Sequence, residues 1–209
     1  MENKNEEFRQ FEIALKTIMR GNISDYNDLI YILSYLCLID SKLGNSPYNS
    51  FEKEFTNNSK NTLESFVDAV ERRFNSYTNN PYTLNVKKAI EYLNEFRFSN
   101  VDSKELLDLL KTKDLYFYEK ALISNVYGKG NINHPIRNED TPIELVDLFK
   151  YFAPGNKYLD IGCGNGNILV GLSYMKRETV KCDGIEINPR NVFISNLRLS
   201  LCNNVSRNR

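Results

Sequence analysis

The sequence predicts an α/β protein in which an all-helical N-terminal domain precedes a short βαβα unit with parallel strands. Apolar residues recur at helical spacing up to about residue 127, and a glycine-containing stretch at 128–135 then changes the character of the chain. After it come a short apolar strand, a glycine turn, a helix, a second strand and another helix, an order that joins parallel strands by a right-handed crossover. We therefore expect a helical domain at 1–128, a linker at 129–140 and the βαβα unit at 141–209.

The composition of the chain disfavours some classes of partner. The 209 residues carry 27 Lys and Arg against 27 Asp and Glu, so a formal net charge of zero gives no overall electrostatic footprint for DNA or an anionic membrane. Lys181, Arg190 and Arg198 make the last third mildly basic, which is compatible with DNA, and we expect them on a solvated face. The longest apolar run, 29–39, is about half the length of a membrane-spanning helix and predicts a buried helix. No membrane partner is expected.

Cysteine and histidine usage points to a reducing cytoplasm. The four cysteines form no Cys-x-x-Cys pair, so we predict neither a metal site nor a disulfide framework. The polar N-terminus lacks the apolar stretch of a signal peptide, which also favours a cytoplasmic location. The single histidine, His134, disfavours hydrolases built on a histidine base.

The N-terminal domain is predicted to consist of helices separated by polar loops. These helices cover approximately residues 6–19, 26–39, 62–74, 84–98, 103–111 and 114–126. The Tyr and Phe side chains of this part follow the helical period, so we assign them to a helical core and not to a base-stacking surface.

The C-terminal unit opens with a well-marked helix start. Thr141 is the predicted cap, Pro142 suits the first helical position and Glu144 completes a capping box. The strands are predicted at 158–161 and 180–187, the helices after them at 168–175 and 189–201, and the polar tail from Val205 onward is expected to fray. The predicted buried face of the first helix consists of Leu145, Val146, Leu148, Phe149 and Phe152.

The glycine turn is the candidate ligand site. Asp160-Ile-Gly162-Cys-Gly164-Asn-Gly166 follows a strand and opens a helix, the context in which a glycine pattern carries meaning. We call residues 162–166 the glycine loop; its glycines let a ligand approach the main chain closely. Glu186, at the end of the second strand, is placed to accept two hydrogen bonds from a ribose diol. Asp160 is placed to meet a ligand ammonium group or to order the loop.

Dinucleotide and S-adenosylmethionine sites both use this architecture. Nicotinamide and flavin folds favour Gly-x-Gly-x-x-Gly, whereas a single residue separates Gly164 from Gly166 here, which disfavours a dinucleotide. The stretch Tyr-Leu-Asp-Ile-Gly-Cys-Gly-Asn-Gly-Asn-Ile-Leu-Val at 158–170 resembles motif I of the class I S-adenosylmethionine-dependent methyltransferases, which have a Rossmann-like fold. Gly184-Ile-Glu-Ile resembles the end of their second strand.

This resemblance implies S-adenosylmethionine as the cofactor. It implies that Asp160 and the glycine loop surround the methionine portion and that Glu186 holds the ribose hydroxyls. The candidate cofactor-binding residues are Asp160, Gly162, Cys163, Gly164, Asn165, Gly166, Glu186, Ile187 and Thr141.

A narrower resemblance adds Thr141 to that set. Residues 138–149, with their Thr-Pro turn, and 184–201 are similar to the methylation subunits of type I restriction-modification systems. Those adenine-specific DNA methyltransferases also carry a helical domain ahead of the Thr-Pro turn. The similarity implies DNA as a partner and Thr141 as a cofactor contact; helix capping is the alternative role of Thr141.

The sequence also lacks a feature that the resemblance implies. Amino-methylating members of the superfamily carry an Asn/Asp-Pro-Pro-aromatic motif on a later strand, and no such motif follows Glu186. We therefore predict the cofactor-binding part of a methyltransferase, a truncated Rossmann-like unit with no assigned catalytic residue. Its exposed sheet edge invites pairing with another chain. The chain is a fragment, half of an enzyme completed by a second polypeptide or copy, or a non-catalytic interaction or regulatory module.

Overall fold

A computed structural model of the chain describes residues 2–19, 26–42, 71–72, 83–95, 103–123, 141, 143–175, 180–202 and 205–206. Within it the chain forms two compact units, Met1–Glu119 and Lys120–Arg209. The predicted linker at 129–140 lies outside the described residues, as does the predicted helix at 62–74 apart from residues 71 and 72.

The described part of the first unit is helical, as the apolar periodicity predicts. Its helices are α1 (Glu2–Ile18), α2 (Tyr26–Lys42), α3 (Thr83–Glu95), α4 (Ser103–Lys111) and the start of α5 (Leu115–Ile123). The predicted burial of residues 29–39, in α2, is confirmed over the whole run. None of the described helices combines the length and the apolar character that a membrane crossing requires.

An aromatic cluster forms part of the core of the first unit. The ring of Phe117 in α5 stacks on Phe8 of α1 with 4.4 Å between ring centroids, and its centroid lies 5.0 Å from that of Phe11. The buried hydroxyl of Tyr118 donates a hydrogen bond of 2.5 Å to the carbonyl of Leu110 in α4. These aromatic side chains thus belong to a helical core, as predicted.

The second unit has α/β architecture with parallel strands. It contains the end of α5, then α6 (Ile143–Phe152), β1 (Lys157–Ile161), α7 (Asn167–Met175), β2 (Val180–Ile185), α8 (Pro189–Ser200) and β3 (Val205–Ser206). The strands form one sheet in the order β1-β2-β3. The prediction of a frayed tail is wrong at Val205 and Ser206, which pair with Val180 and Lys181. This pairing satisfies backbone groups on an edge of β2 that β1 does not use.

Helix α6 packs closely on α7 where Val146 meets Gly171. A Cβ placed on Gly171 of α7 would overlap Cγ1 of Val146, which is buried. The prediction of a broad buried face on α6 is wrong, because of its five predicted members only Val146 is buried. The other side chains of that predicted face are exposed: Leu145, Leu148, Phe149 and Phe152.

The two faces of the sheet differ in their surroundings. Cys182 faces α7, and its Sγ lies 3.8 Å from the carbonyl oxygen of Leu169. Side chains alternate between faces along a strand, and on the opposite face Leu159, Ile161 and Ile185 are 61%, 76% and 55% exposed. In the part of the chain that the structure describes, helices therefore cover one face of the sheet.

Candidate functional site

The glycine loop continues the pairing of β1 with β2. The N–H groups of Gly162 and Cys163 both donate to the carbonyl of Ile185, at 2.7 and 3.1 Å. The N–H of Gly166 then donates to the carbonyl of Cys163 at 2.8 Å, which closes a tight turn. The N–H of Val170 donates to the carbonyl of Gly166 at 2.8 Å, the first hydrogen bond of α7. The loop is therefore anchored to the sheet at one end and to a helix at the other.

The three loop glycines are required for two different reasons. Gly162 and Gly164 have φ angles of +82° and +52°, which side chains rarely adopt, yet a Cβ on either would meet nothing within 4 Å. Open space therefore lies in front of this part of the loop. A Cβ on Gly166 would instead lie 2.9 Å from Cβ of Ser195 in α8. Gly166 is thus needed for the close approach of a helix.

Glu186 follows β2 directly and bonds to the glycine loop. Its Oε2 accepts a hydrogen bond from the N–H of Gly164 at 2.8 Å, and its Oε1 accepts one from the N–H of Asn188 at 2.7 Å. The N–H of Asn188 is the main cause of a lowered pKa of Glu186; desolvation opposes it, and the N–H groups of Gly164 and Ile187 add to it. An ionised carboxylate offers about four acceptor sites, so some acceptor capacity remains for a ligand.

The start of α8 fixes the position of Glu186. Asn188 caps the helix, its side-chain oxygen accepting a hydrogen bond of 3.0 Å from the N–H of Arg190, and Pro189 occupies the first helical position. Because the Asn188 N–H also donates to Glu186, the cap and the carboxylate form one hydrogen-bonded arrangement. Glu186 is thus oriented by backbone donors that require no ligand.

Asp160 and Cys163 share an electrostatic environment with Glu186. Asp160 is half-buried at the end of β1, and burial raises the pKa of its carboxyl group. Burial is also the main cause of a raised pKa of the Cys163 thiol, to which the charges of Asp160 and Glu186 contribute. Cys163 therefore stays a thiol at neutral pH, so it is not an activated nucleophile.

The other predicted cofactor-binding residues, Ile187, Asn165 and Thr141, differ in their exposure to solvent. Ile187, beside Glu186, is 96% exposed. The side-chain oxygen of Asn165 in the loop is buried and has no hydrogen-bond partner in the structure. Thr141 is half-buried ahead of α6, and Pro142, its neighbour in the predicted helix start, lies outside the described residues. Among the residues that the structure describes, no group of His, Cys, Asp or Glu could hold a metal ion.

Arg198 was not predicted to be part of the site. The prediction that it lies on a solvated face is wrong, because its side chain is only 1% exposed and donates hydrogen bonds to the loop residue Asn165 and to Asn167. The helical pattern contained the signal: Arg198 comes four residues after the buried Ile194 and one after the buried Leu197, on the apolar stripe of α8.

The arrangement suits a ligand that carries a diol and a cationic group. Glu186 has acceptor sites for hydroxyl groups, the half-buried Asp160 offers a negative charge, and the loop backbone is open in front of Gly162 and Gly164. Comparison of the chain with protein-family models, with curated proteins and with solved structures finds no match in any of the three.

Proposed function

We propose that the chain binds S-adenosylmethionine at the glycine loop and forms the cofactor-binding part of a class I methyltransferase. The hydrogen bond of 2.8 Å from the Gly164 N–H to Glu186 carries this proposal. It joins the acidic residue after β2 to the loop after β1, and a nucleoside site in a Rossmann-like unit requires these two features side by side.

The side chains around the loop match the parts of this cofactor. The ribose diol has two donors for the free acceptor sites of Glu186, and the ligand ammonium group complements Asp160. The exposed side chain of Ile187 offers apolar surface to a nucleobase. When bound, S-adenosylmethionine supplies a methyl group already activated on its sulfonium, so the protein contributes mainly binding and orientation.

Calorimetric titration with S-adenosylmethionine and S-adenosylhomocysteine tests the proposal. The Glu186→Gln substitution removes the charge that strengthens hydrogen bonds to the diol, so we expect affinity to fall about thirtyfold, which corresponds to about 2 kcal/mol. Asp183→Asn is the matched control. It likewise replaces a carboxylate by an amide, but within β2, at the register partner of Leu159 and on the sheet face opposite Cys182. Absence of binding by the unmodified chain contradicts the proposal.

A non-catalytic module is the second candidate function. Both oxygens of Glu186 already accept backbone hydrogen bonds, so the carboxylate stabilises the loop in the absence of any ligand. A loop held in this way serves equally as a scaffold for protein interactions. This candidate predicts that Glu186→Gln lowers stability while the unmodified chain binds neither adenosyl compound.

Two extensions of the proposal concern the methyl acceptor and the partner. The narrower sequence resemblance supports adenine in DNA as acceptor, and transfer of labelled methyl groups from S-adenosylmethionine to unmethylated DNA tests it. The exposed face formed by Leu159, Ile161 and Ile185 supports coverage of the sheet by a second polypeptide or a second copy. Light scattering over a range of protein concentrations tests self-association.

A further inference from the structure

Arg198 is the largest of the fully buried side chains that the structure describes. Burial of a guanidinium group is costly unless acceptors surround it. Its Nε donates to the carbonyl of Leu122 at 2.7 Å, and its Nη1 donates both to the carbonyl of Asn165 at 2.6 Å and to Oδ1 of Asn167 at 2.5 Å. One buried charge therefore joins α8 to the last turn of α5, to the glycine loop and to the first residue of α7.

Two of these acceptors flank Gly166, where the loop becomes α7. The peptide group between Asn165 and Gly166 is held at both ends, because its carbonyl accepts from Arg198 and its N–H donates to the carbonyl of Cys163 at 2.8 Å. A planar peptide group fixed in this way rotates only if one of the two hydrogen bonds breaks. Arg198 thereby stabilises the φ angle of +79° at Gly166 and the direction in which α7 leaves the loop.

Helix α8 contacts the loop through more than this one side chain. Ser195 lies three residues before Arg198, on the same face of the helix, and its Cβ is the atom that a side chain on Gly166 would meet. Two residues earlier in the loop, the N–H of Gly164 donates to the half-exposed Glu186. The loop is thus held by a buried arginine near its end and by a glutamate near its middle.

We propose that Arg198 is a positioning residue, which keeps the glycine loop in its ligand-binding shape without contacting the ligand. The inference rests on the function proposed above and extends it to a side chain on the buried side of the loop. A binding constellation must be held to within about 0.5 Å to be productive. The affinity for an adenosyl ligand should therefore depend on Arg198 and on its acceptor Asn167.

Three substitutions in the full chain separate positioning from general stability. Arg198→Lys keeps the positive charge but replaces a planar, multiply donating group by a single ammonium. Asn167→Leu removes one acceptor at similar side-chain size, and Asn167→Asp keeps an acceptor at the same place. Leu197→Ala is the control, because Leu197 is a fully buried neighbour in α8 whose side chain makes no hydrogen bond to the loop.

Two measurements apply to each variant under conditions in which it is fully folded. One is the calorimetric affinity for S-adenosylhomocysteine, and the other is the position of the Gly164 and Gly166 amide resonances in NMR spectra without ligand. We expect Arg198→Lys and Asn167→Leu to bind about tenfold more weakly and to shift these resonances. Asn167→Asp should restore both values, and Leu197→Ala should lose stability while keeping both.

The positioning role is overturned if Arg198→Lys leaves the affinity and the loop resonances unchanged. It is equally overturned if Leu197→Ala loses the same affinity, because the effect then follows stability alone. Failure of the unmodified chain to bind S-adenosylhomocysteine defeats the proposed function instead. The resonances without ligand then decide the role of Arg198: a shift in Arg198→Lys but not in Leu197→Ala supports positioning, and the absence of that difference refutes it.

Discussion

At the residue scale, Asp160 and Glu186 have opposite effects on the pH dependence of folding. The lowered pKa of Glu186 means that its charged form favours the folded state, a contribution present above the ordinary pKa and lost as pH falls through the lowered one. The pKa of Asp160 is raised by burial, so its charged form disfavours the folded state. Its presence therefore costs stability as pH rises from the ordinary pKa through the raised one.

A substitution at Asp160 can therefore show whether this residue favours ligand binding at a cost in stability. Asp160→Asn removes a half-buried charge, so we expect a higher melting temperature at neutral pH. The gain should shrink at acidic pH, where Asp160 in the unmodified protein is protonated. The same variant should bind S-adenosylmethionine more weakly, because the ligand ammonium loses its counter-charge. Thermal unfolding at both pH values and calorimetry measure these effects; a lower melting temperature at neutral pH would contradict the assigned burial cost.

At the element scale, the contact between α6 and α7 predicts whether Gly171→Ala raises or lowers the free energy of unfolding. Alanine is favoured over glycine in a helix by about 1 kcal/mol, so Gly171→Ala would stabilise α7 if nothing lay against it. The overlap with Cγ1 of Val146 should reverse that sign and destabilise the protein by about 1–2 kcal/mol. In the double variant with Val146→Ala the clash disappears, because Cβ of residue 146 lies 3.5 Å away.

Urea unfolding of the two single variants and the double variant forms the appropriate cycle. We expect a favourable coupling of about 2–3 kcal/mol between the two alanines, because the double variant removes the whole clash. Strict additivity of the two changes in the free energy of unfolding would show that the two helices do not meet at Gly171. Val146→Ala alone should lower the free energy of unfolding by about 2 kcal/mol, because it removes two fully buried carbon atoms.

The elements also show which features of the fold follow from local sequence. The order of strand, glycine turn, helix, strand and helix was predicted because short apolar runs and the glycine turn mark it locally, and the structure confirms that order. The strand at 205–206, the exposed side of α6 and the buried Arg198 were not predicted. Each of these depends on partners distant in sequence, such as Val180 for Val205 and Asn165 for Arg198, and local periodicity carries no information about such partners.

The same distinction applies to the candidate site. That Glu186 and the glycine loop lie near each other followed from topology, because the carboxyl ends of parallel strands meet at one edge of a sheet. The hydrogen bond that Glu186 accepts from the N–H of Gly164 depends on side-chain geometry, which only the structure supplies. The role of Gly166 likewise became visible only with the close approach of Ser195.

At the scale of the whole molecule, the sheet is unusual in leaving large apolar side chains on one face in contact with solvent. Parallel sheets are normally covered on both faces, and their strands are correspondingly apolar. Leu159, Ile161 and Ile185 follow that composition, yet all three are more than half exposed. Exposed apolar surface binds other apolar surfaces or hydrophobic dyes.

We therefore expect the folded chain to bind the dye anilinonaphthalene sulfonate through this face. Replacement of Leu159, Ile161 and Ile185 by threonine removes most of the apolar surface, and threonine is itself favoured in strands, so the strand pairing should persist. Dye fluorescence should fall substantially in the triple variant while its circular dichroism spectrum stays unchanged. Leu84→Thr is the control, because Leu84 in α3 is 66% exposed but belongs to the other compact unit. Equal fluorescence from the triple variant and the unmodified chain would show that the dye binds elsewhere and that this sheet face is covered in solution.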